Sequence, residues 1–537
     1  MLQRFLGGLF LLLSISALFQ CARRGTPTGG IKDIIPPKLI KAVPPNMSIN
    51  FKEKRIRLYF DEYIKLNKVQ EQLIVSPPLT YAPVIKPQGG TSKVVEILIK
   101  DTLRENTTYT FNFGYSIVDN NEGNPNSFLT YVFSTGDYID SLSLSGVVKD
   151  AFNRRAETFI SVLLYELDSM YTDSTVYQKL PNYITNTLDS TTIFHLKNLK
   201  EGKYALFGLK DKGNNNKFDQ KVDKIAFLTD TIRLPTDSIY LLNLFKEVPD
   251  YTISVPSLAA KNKIIFGYQG IREDIDIAPL VPLPDTVRTL LRKQRDKDSL
   301  DFWFTPFEAD SIQFVVTNEK MSLKDTFTVR SRKLPLDTLV LSANQRGTLD
   351  FASPFSILAN TPLVALDSSK LQLMDQDSVS VTFTAHLDTL DNKVDIDFER
   401  LPNQKYSLAL HEGAITDFFG SVNDSLKFQL ATKGYADYGN LRFSIAGKVA
   451  YPIILQLTDE KGVVKRTLYA TEPKSFEFNL IPAGKYVFRV IFDENGNQKW
   501  DTGNYLQKIQ PEQVRYYPDV IDVRTNWDME QTFVIPD

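Results

Sequence analysis

The chain is short of the residues that do chemistry. Among 537 residues there is one cysteine, with three histidines and three tryptophans. A single thiol excludes an intrachain disulfide framework and any multi-cysteine metal site. The histidines, His195, His386 and His411, lie far apart and in strand-like surroundings. None forms His-Glu-x-x-His or another metal-ligand spacing. No Gly-x-Ser-x-Gly elbow, phosphate-binding glycine loop or dinucleotide fingerprint occurs. Charge is balanced, 62 basic against 64 acidic residues, with no basic cluster of the kind that binds nucleic acid. After the first twenty residues no apolar run is long enough to cross a bilayer, which takes roughly 20 residues as a helix. These absences point away from an enzyme and from a cofactor protein.

What is present begins at the N-terminus. Arg4 precedes an apolar run from Phe5 to Phe19, which reads as the core of a secretory signal rather than a spanning helix. Cys21 follows at once. The preceding Leu18-Phe19-Gln20 resembles a bacterial lipobox with Leu at the −3 position, although Phe19 and Gln20 are larger than usual there. The resemblance implies lipidation of Cys21, which would become the mature N-terminus and hold the protein at a membrane through several acyl chains. The alternative is a short uncleaved N-terminal anchor. A Gly-, Pro- and Thr-rich stretch to about residue 35 reads as a tether.

The remainder is rich in Phe, Tyr, Val, Ile and Thr and poor in helical segments, which predicts an all-β chain. It also repeats. Phe194-x-Leu196-x-x-Leu199-x-x-Gly202-Lys203-Tyr204 returns as Phe476-x-Phe478-x-x-Ile481-x-x-Gly484-Lys485-Tyr486. Acidic loops follow at the same offset of 282, opening at Asp211 and Asp493 and ending at Phe218-Asp219 and Trp500-Asp501. Each unit opens alike, with Leu144-x-Gly146-x-Val148 and Ile445-x-Gly447-x-Val449. This pattern resembles the transthyretin-like, or carboxypeptidase-regulatory-like, β-sandwich.

A second kind of unit precedes each of these. Asn106-x-x-Tyr109, Ile117-Val118-Asp119 and Phe133-Ser134-Thr135 recur as Asn403-x-x-Tyr406, Ile415-Thr416-Asp417 and Leu430-Ala431-Thr432. With Pro36-Pro37, Pro44-Pro45-Asn46 and the strand ending Phe60-Asp61-Glu62, the first copy resembles the SbsA-type Ig-like domain of Bacteroidota lipoproteins. The second copy lacks the Pro-Pro opening and the Phe-Asp-Glu end. The predicted organisation is a signal peptide (1–20), tether (21–35), Ig-like domain (36–138), transthyretin-like sandwich (139–245), β-rich middle domain (246–336), second Ig-like domain (337–436) and second transthyretin-like sandwich (437–537). Thr286 to Arg295 reads as a basic helical insert, and sandwiches joined in series suggest a rod or an arc.

Three sets of side chains are candidates for chemistry. Asp493, Asn495, Asn497 and Asp501 alternate along a loop as calcium ligands do, and Asp211, Asn215 and Asp219 form a weaker version with Gly213 at the second position. The competing reading is an Asx-rich turn that satisfies its own backbone. Asp-Ser/Thr-apolar triplets at Thr102, Ser141, Thr231, Ser299, Thr389 and Ser425 resemble the O-glycosylation signal of exported Bacteroidota proteins, and turns that feed strands would produce the same triplets. Asp61-Glu62 reads as a solvated turn at a strand end rather than as a catalytic pair.

The expected function is a non-catalytic outer-membrane scaffold or adhesive lipoprotein whose partners are envelope proteins or peptidoglycan. The second reading is a glycan-binding accessory of an uptake system, with Trp303 and Trp527 as candidate sugar platforms. Ala22-Arg23-Arg24 after the lipid cysteine, rather than acidic residues, favours the periplasmic face.

Overall fold

Alternating apolar residues produce strands throughout, and each pair of sheets closes over one apolar core. The computed structural model describes residues 32–127, 129–187, 192–270, 275–294 and 297–535. The signal segment and Cys21 lie outside the described residues. Among the described residues helix is confined to single turns such as Val69–Gln72 and Thr175–Gln178. No described helix is long and apolar enough to cross a membrane.

Five cores follow one another along the chain. The first gathers Ile56, Leu58, Val95, Phe111 and Phe133, and the second Leu144, Val162, Leu206 and Leu242. The third contains Phe266, Phe302 and Phe314, the fourth Ile357, Val394 and Leu408, and the fifth Phe443, Leu455, Phe488 and Phe533. The second and fifth sandwiches share one topology. In each, a five-stranded sheet (Tyr183–Asn186, Ser161–Glu166, Gly202–Lys210, Lys224–Phe227 and Ile232–Leu234; then Val464–Ala470, Ile453–Asp459, Gly484–Phe492, Val514–Tyr516 and Ile521–Val523) faces a three-stranded one. In each three-stranded sheet the last strand, Ile239–Leu244 or Asp528–Ile535, pairs in parallel with the first, Leu142–Asp150 or Tyr438–Gly447.

The motifs of the first and fourth sandwiches acquire a physical cause. Asn106 and Asn403 both take positive φ, 48° and 55°, a conformation that asparagine tolerates better than most side chains. The tyrosine hydroxyl three residues on accepts a backbone N–H, from Arg104 to Tyr109 and from Leu401 to Tyr406. Thr135 and Thr432 tie the same corner, each accepting one backbone N–H and donating to one carbonyl. Asp119 and Asp417 are buried, and each accepts the backbone N–H groups of its own turn, from Asn121, Glu122 and Asn124 and from Phe419 and Ser421.

Two expectations are corrected. Within Thr286 to Arg295, residues Thr289–Lys293 form a strand rather than a helix, paired along its length with Ser299–Phe304. Leu291 packs on the third core, and tertiary pairing overrides a weak helical preference. Asp61 and Glu62 do not end a strand either. The strand Arg55–Leu66 continues past them, and its pairing with Ser92–Leu98 shifts register between Tyr59 and Ile64.

The chain is also not an open rod. The first sandwich meets the second through Ser76 Oγ, which accepts the Ile184 N–H, and through a Thr110–Asn198 side-chain hydrogen bond. Asp250 N–H donates to Gln220 where the second sandwich passes to the third. The third meets the fourth through Lys263–Asp337 (2.8 Å) and Trp303 edge-on to Phe419. The fourth meets the fifth through Arg466–Asp350 (2.8 Å) and Phe351 against Tyr435 and Tyr438. The fifth then returns to the second, so the last four sandwiches close a circuit.

Candidate functional site

The closing contact grows out of a difference between the two related sandwiches. Their offset is 282 residues through Asp219 and Asp501, and 289 (512 − 223) once Asp223 and Glu512 are reached. That equivalence rests on shared bonds. Asp223 accepts the backbone N–H of Lys212 and Asp219, and Glu512 accepts those of Glu494 and Asp501. The later pairings Phe207–Phe227 and Arg489–Tyr516 keep the new offset. The fifth sandwich therefore carries seven extra residues (289 − 282), within Thr502 to Pro511.

These residues form a finger that enters the second sandwich. Tyr505 is 2 % exposed and belongs to the apolar cluster of Leu163, Phe207, Phe227 and Phe245 on the outer face of the five-stranded sheet. Its ring stands edge-on to Phe207 and Phe227, 5.2 Å from each. The hydroxyl reaches Tyr171 and Asp173, both at 3.3 Å. Lys508 pairs with Asp173 at 2.6 Å and lies over the Tyr505 ring. Gly503 has no room for a side chain, because a Cβ there would lie 2.7 Å from the Phe245 ring.

The finger also grips the link between the second and third sandwiches. Thr502 donates to the Lys246 carbonyl, and the Tyr505 N–H to Glu247. Burial pushes the Glu247 carboxyl above the ordinary carboxylate range, opposed by the hydrogen bonds from Tyr505 and Gln220.

The docking is reciprocal. Arg489 and Tyr516 occupy the positions of Phe207 and Phe227 in the fifth sandwich, so its outer face is polar where the other is apolar. Phe152, from the second sandwich, lies under the Arg489 guanidinium (4.2 Å) and beside Trp500 (4.7 Å). Its carbonyl accepts the Tyr516 hydroxyl at 2.7 Å. Each sandwich thus places one aromatic ring on the other's sheet, a well-packed arrangement of the kind that dominates interface energies.

The acidic loops serve as structure around this seam. Asp493 is fully buried and accepts the N–H groups of Asn497 and Gln498. The side-chain amides of Asn495 and Asn497 both donate to Asp501. In the other loop Asp211 accepts the Asn216 N–H, Asn215 accepts that of Lys217, and Asp219 that of Lys221. Burial raises the Asp211 carboxyl, partly offset by the Asn216 bond, and Asp223 raises it further. Among the described residues no group of three or more His, Cys, Asp or Glu is placed to hold a metal ion. With the Asn495 and Asn497 side-chain amides turned onto Asp501, the Asp493 loop is arranged as an Asx-rich turn.

The other candidates are scattered. Thr102, Ser141, Thr231 and Ser425 are exposed at strand approaches and Thr389 is half-buried in a turn. Ser299 is buried, its hydroxyl donating to Gln294, which removes it from the accessible acceptors. Trp303 is buried in the seam between the third and fourth sandwiches and offers no sugar platform. Trp527 is half-exposed beneath Arg524. His195 meets Ser145 Oγ at 2.8 Å on a solvent-facing strand, and no carboxylate among the described residues orients the imidazole as a catalytic triad would require.

Tyr505, Gly503 and Phe152 carry the seam, and none stands out by residue type. The signal that exposes them is the change of offset after Asp219 and Asp501.

Comparison with known proteins agrees with the architecture of the first sandwich. Residues 33–135 match the family model of the bacterial Ig-like domain. No curated protein matches the chain. Among solved structures, domains 1–6 of the surface layer protein SbsC align at 11 % identity over 88 % of this chain and 67 % of that one, with a TM-score of 0.14. The Bacillus anthracis TIE protein aligns at 9 % identity over 95 % and 75 %, with a TM-score of 0.15. The BSP domain of a biofilm associated protein aligns at 10 % identity over 93 % and 99 %, also at 0.15. The chain is an all-β protein of serial sandwiches that carries a bacterial Ig-like domain at residues 33–135.

Proposed function

We propose that this protein is a non-catalytic, lipid-anchored scaffold of a bacterial outer membrane, held through Cys21, whose last four sandwiches form a closed platform. The observation that carries the reading is the seam between the second and fifth sandwiches. A chain that buries Tyr505 in a domain more than 250 residues earlier gives up independent domain motion for fixed geometry. Fixed geometry favours presentation of surfaces to a partner, because less order has to be imposed when binding occurs. On this reading the second and fifth units are transthyretin-like sandwiches, and the first Ig-like unit separates the platform from the lipid tether. The partner is an envelope protein or peptidoglycan, with the periplasmic face favoured by Ala22-Arg23-Arg24.

The test is cross-linking in native membranes followed by identification of captured partners, in parallel for the natural chain and Cys21→Ala. The proposal expects a defined envelope partner with the natural chain and its loss when the anchor is removed. Equal membrane association of the Cys21→Ala protein would overturn the lipid anchor.

A further inference from the structure

The first sandwich meets the second through Ser76 and Thr110 of its three-stranded sheet. Its other sheet, in the order Leu39–Val43, Arg55–Leu66, Ser92–Leu98 and Val84–Lys86, covers the core with one face and turns the second face outward. Register fixes which side chains share that outer face, because residues paired across strands point the same way. Lys41 lies in a row with Tyr59 and Val94, and Val43 in a row with Arg57, Glu96 and Lys86. Arg55 shares a third row with Leu98 and Val84. Ile56, Leu58, Val95 and Ile97 alternate with these residues and fill the core.

Four cations on this face meet one carboxylate. Glu96 is held by Arg57 at 3.3 Å, Lys86 at 3.7 Å and Arg55 at 3.9 Å, which leaves an excess of three positive charges (4 − 1). Lys41, Arg55, Arg57 and Lys86 are all exposed. The nearby carboxylates lie at the margins. Asp33, Asp61, Glu62 and Glu122 gather beyond the register shift, beside Lys65 and Lys93, which donate to the Asn120 and Asp61 carbonyls. Asp101 accepts the N–H groups of Thr80 and Tyr81, and Glu53 stands between Lys52 and Lys54. The excess is not a property of the fold. The fourth sandwich repeats the strand order, and its outward positions hold Asp388, Asp395 and Asp397 against Lys393 and His386. One sheet is basic in the unit nearest Cys21 and acidic in the copy further along.

We infer that this outer face of the first sandwich rests on an anionic lipid surface, with its cations against headgroup phosphates and Val43, Tyr59 and Val94 among them. Lysine and arginine stems lie along apolar surface while their heads reach charged groups, and anionic leaflets attract such clusters next to an anchor. The inference rests on the lipid anchor proposed above. Ten residues separate Cys21 from Lys32 (32 − 21 − 1), and at roughly 3.5 Å each they span about 35 Å at most. The anchor therefore holds the first sandwich within reach of the bilayer. Three charges alone give a weak, salt-sensitive attachment, so the face orients the sandwich rather than replacing the acyl chains.

The experiment is co-sedimentation of the unacylated chain, residues 22–537, with two kinds of vesicle. One is phosphatidylethanolamine with phosphatidylglycerol, the other phosphatidylcholine alone. Binding to the anionic vesicles alone is expected at low salt, falling as salt rises. Each cation near an anionic surface is worth on the order of fivefold in binding. Lys41→Gln, Arg55→Gln and Lys86→Gln together should therefore weaken it roughly 100-fold. Lys461→Gln, Lys474→Gln and Lys485→Gln in the fifth sandwich change the net charge equally and should leave binding intact. No binding to anionic vesicles, equal binding to neutral ones, or an equal loss in the fifth-sandwich variant overturns the assignment. Self-association that the first triple variant abolishes, without vesicle binding, gives the face to the acidic sheet of a second copy and also overturns it. The tested chain carries no acyl group, so this result is read independently of Cys21. Fractionation of Cys21→Ala at high salt, which screens this face, judges the anchor by itself.

Discussion

Removing one ring should open the circuit. Tyr505→Ala takes away an aromatic side chain that is 2 % exposed and wedged between Phe207 and Phe227. Truncating a buried aromatic to alanine costs about 3–5 kcal/mol in protein cores. The lower figure suits this seam, since water can enter the vacated site once the domains part. About 3 kcal/mol changes a closed-to-open ratio roughly 100-fold. Tyr505→Phe loses only the hydroxyl contacts to Tyr171 and Asp173, about 1 kcal/mol, and should remain closed. Small-angle scattering reads the difference directly. The alanine variant should gain maximum dimension by roughly the length of one sandwich, ~35 Å from ordinary strand lengths, while its domains still melt cooperatively. An alanine variant with the scattering profile and amide protection of the natural chain would show that Tyr505 does not hold the seam, and the reasoning from its burial would fail.

Other consequences can be checked independently. Gly503→Ala puts a Cβ 2.7 Å from the Phe245 ring and should open the circuit as Tyr505→Ala does, measured by the same scattering; a closed profile would mean the finger can shift to make room. Burial pushes the Asp119 carboxyl up, but backbone N–H groups of Asn124, Glu122, Asn121 and Gly123 outweigh it and hold it below the ordinary carboxylate range. Its stabilisation is therefore full above that range and lost as pH falls through the depressed value, so melts of the natural chain and Asp119→Asn should converge at low pH; parallel curves would refute the linkage. Millimolar calcium and chelator should leave the melting temperature unchanged, because the Asp493 loop is already satisfied, and a rise of several degrees would restore calcium. Cys21→Ala should release the protein from membranes into the soluble fraction on cell breakage, read by immunoblot.

Much of the fold was legible because it rests on local patterns. Alternation of apolar residues marks strands such as Ile312-x-Phe314-x-Val316, and the Asn-x-x-Tyr corners recur since a buried tyrosine hydroxyl must find a partner. The repeat of Gly-Lys-Tyr showed that the second and fifth sandwiches are copies. The strand Thr289–Lys293 is not legible in sequence, because its pairing with Ser299–Phe304 is decided by tertiary context, which composition does not carry. The loops at Asp211 and Asp493 are legible in sequence as oxygen-rich, but the hydrogen bonds that Asn495 and Asn497 make to Asp501 are not, since the direction of each side-chain amide depends on the folded loop. The seam was hidden for a different reason. Phe207, Phe227 and Tyr505 look like ordinary core residues, and only their placement on the outer face of a sheet shows that another domain must cover them. Its one trace in the sequence is the seven-residue insertion, and that becomes visible only when Asp223 is aligned with Glu512.

The closed circuit is tested most directly by joining its two ends without altering the chain. Lys508 Nζ lies 2.6 Å from the Asp173 carboxylate, and both side chains are about half exposed. A zero-length carbodiimide reagent should couple them in the monomer as readily as it couples Lys465 to Asp459, a comparably exposed pair at 3.2 Å within the fifth sandwich. Mass spectrometry of the digest should find both cross-linked peptides in the monomer fraction. Recovery of the Asp459–Lys465 product without any Asp173–Lys508 product would contradict the closed circuit.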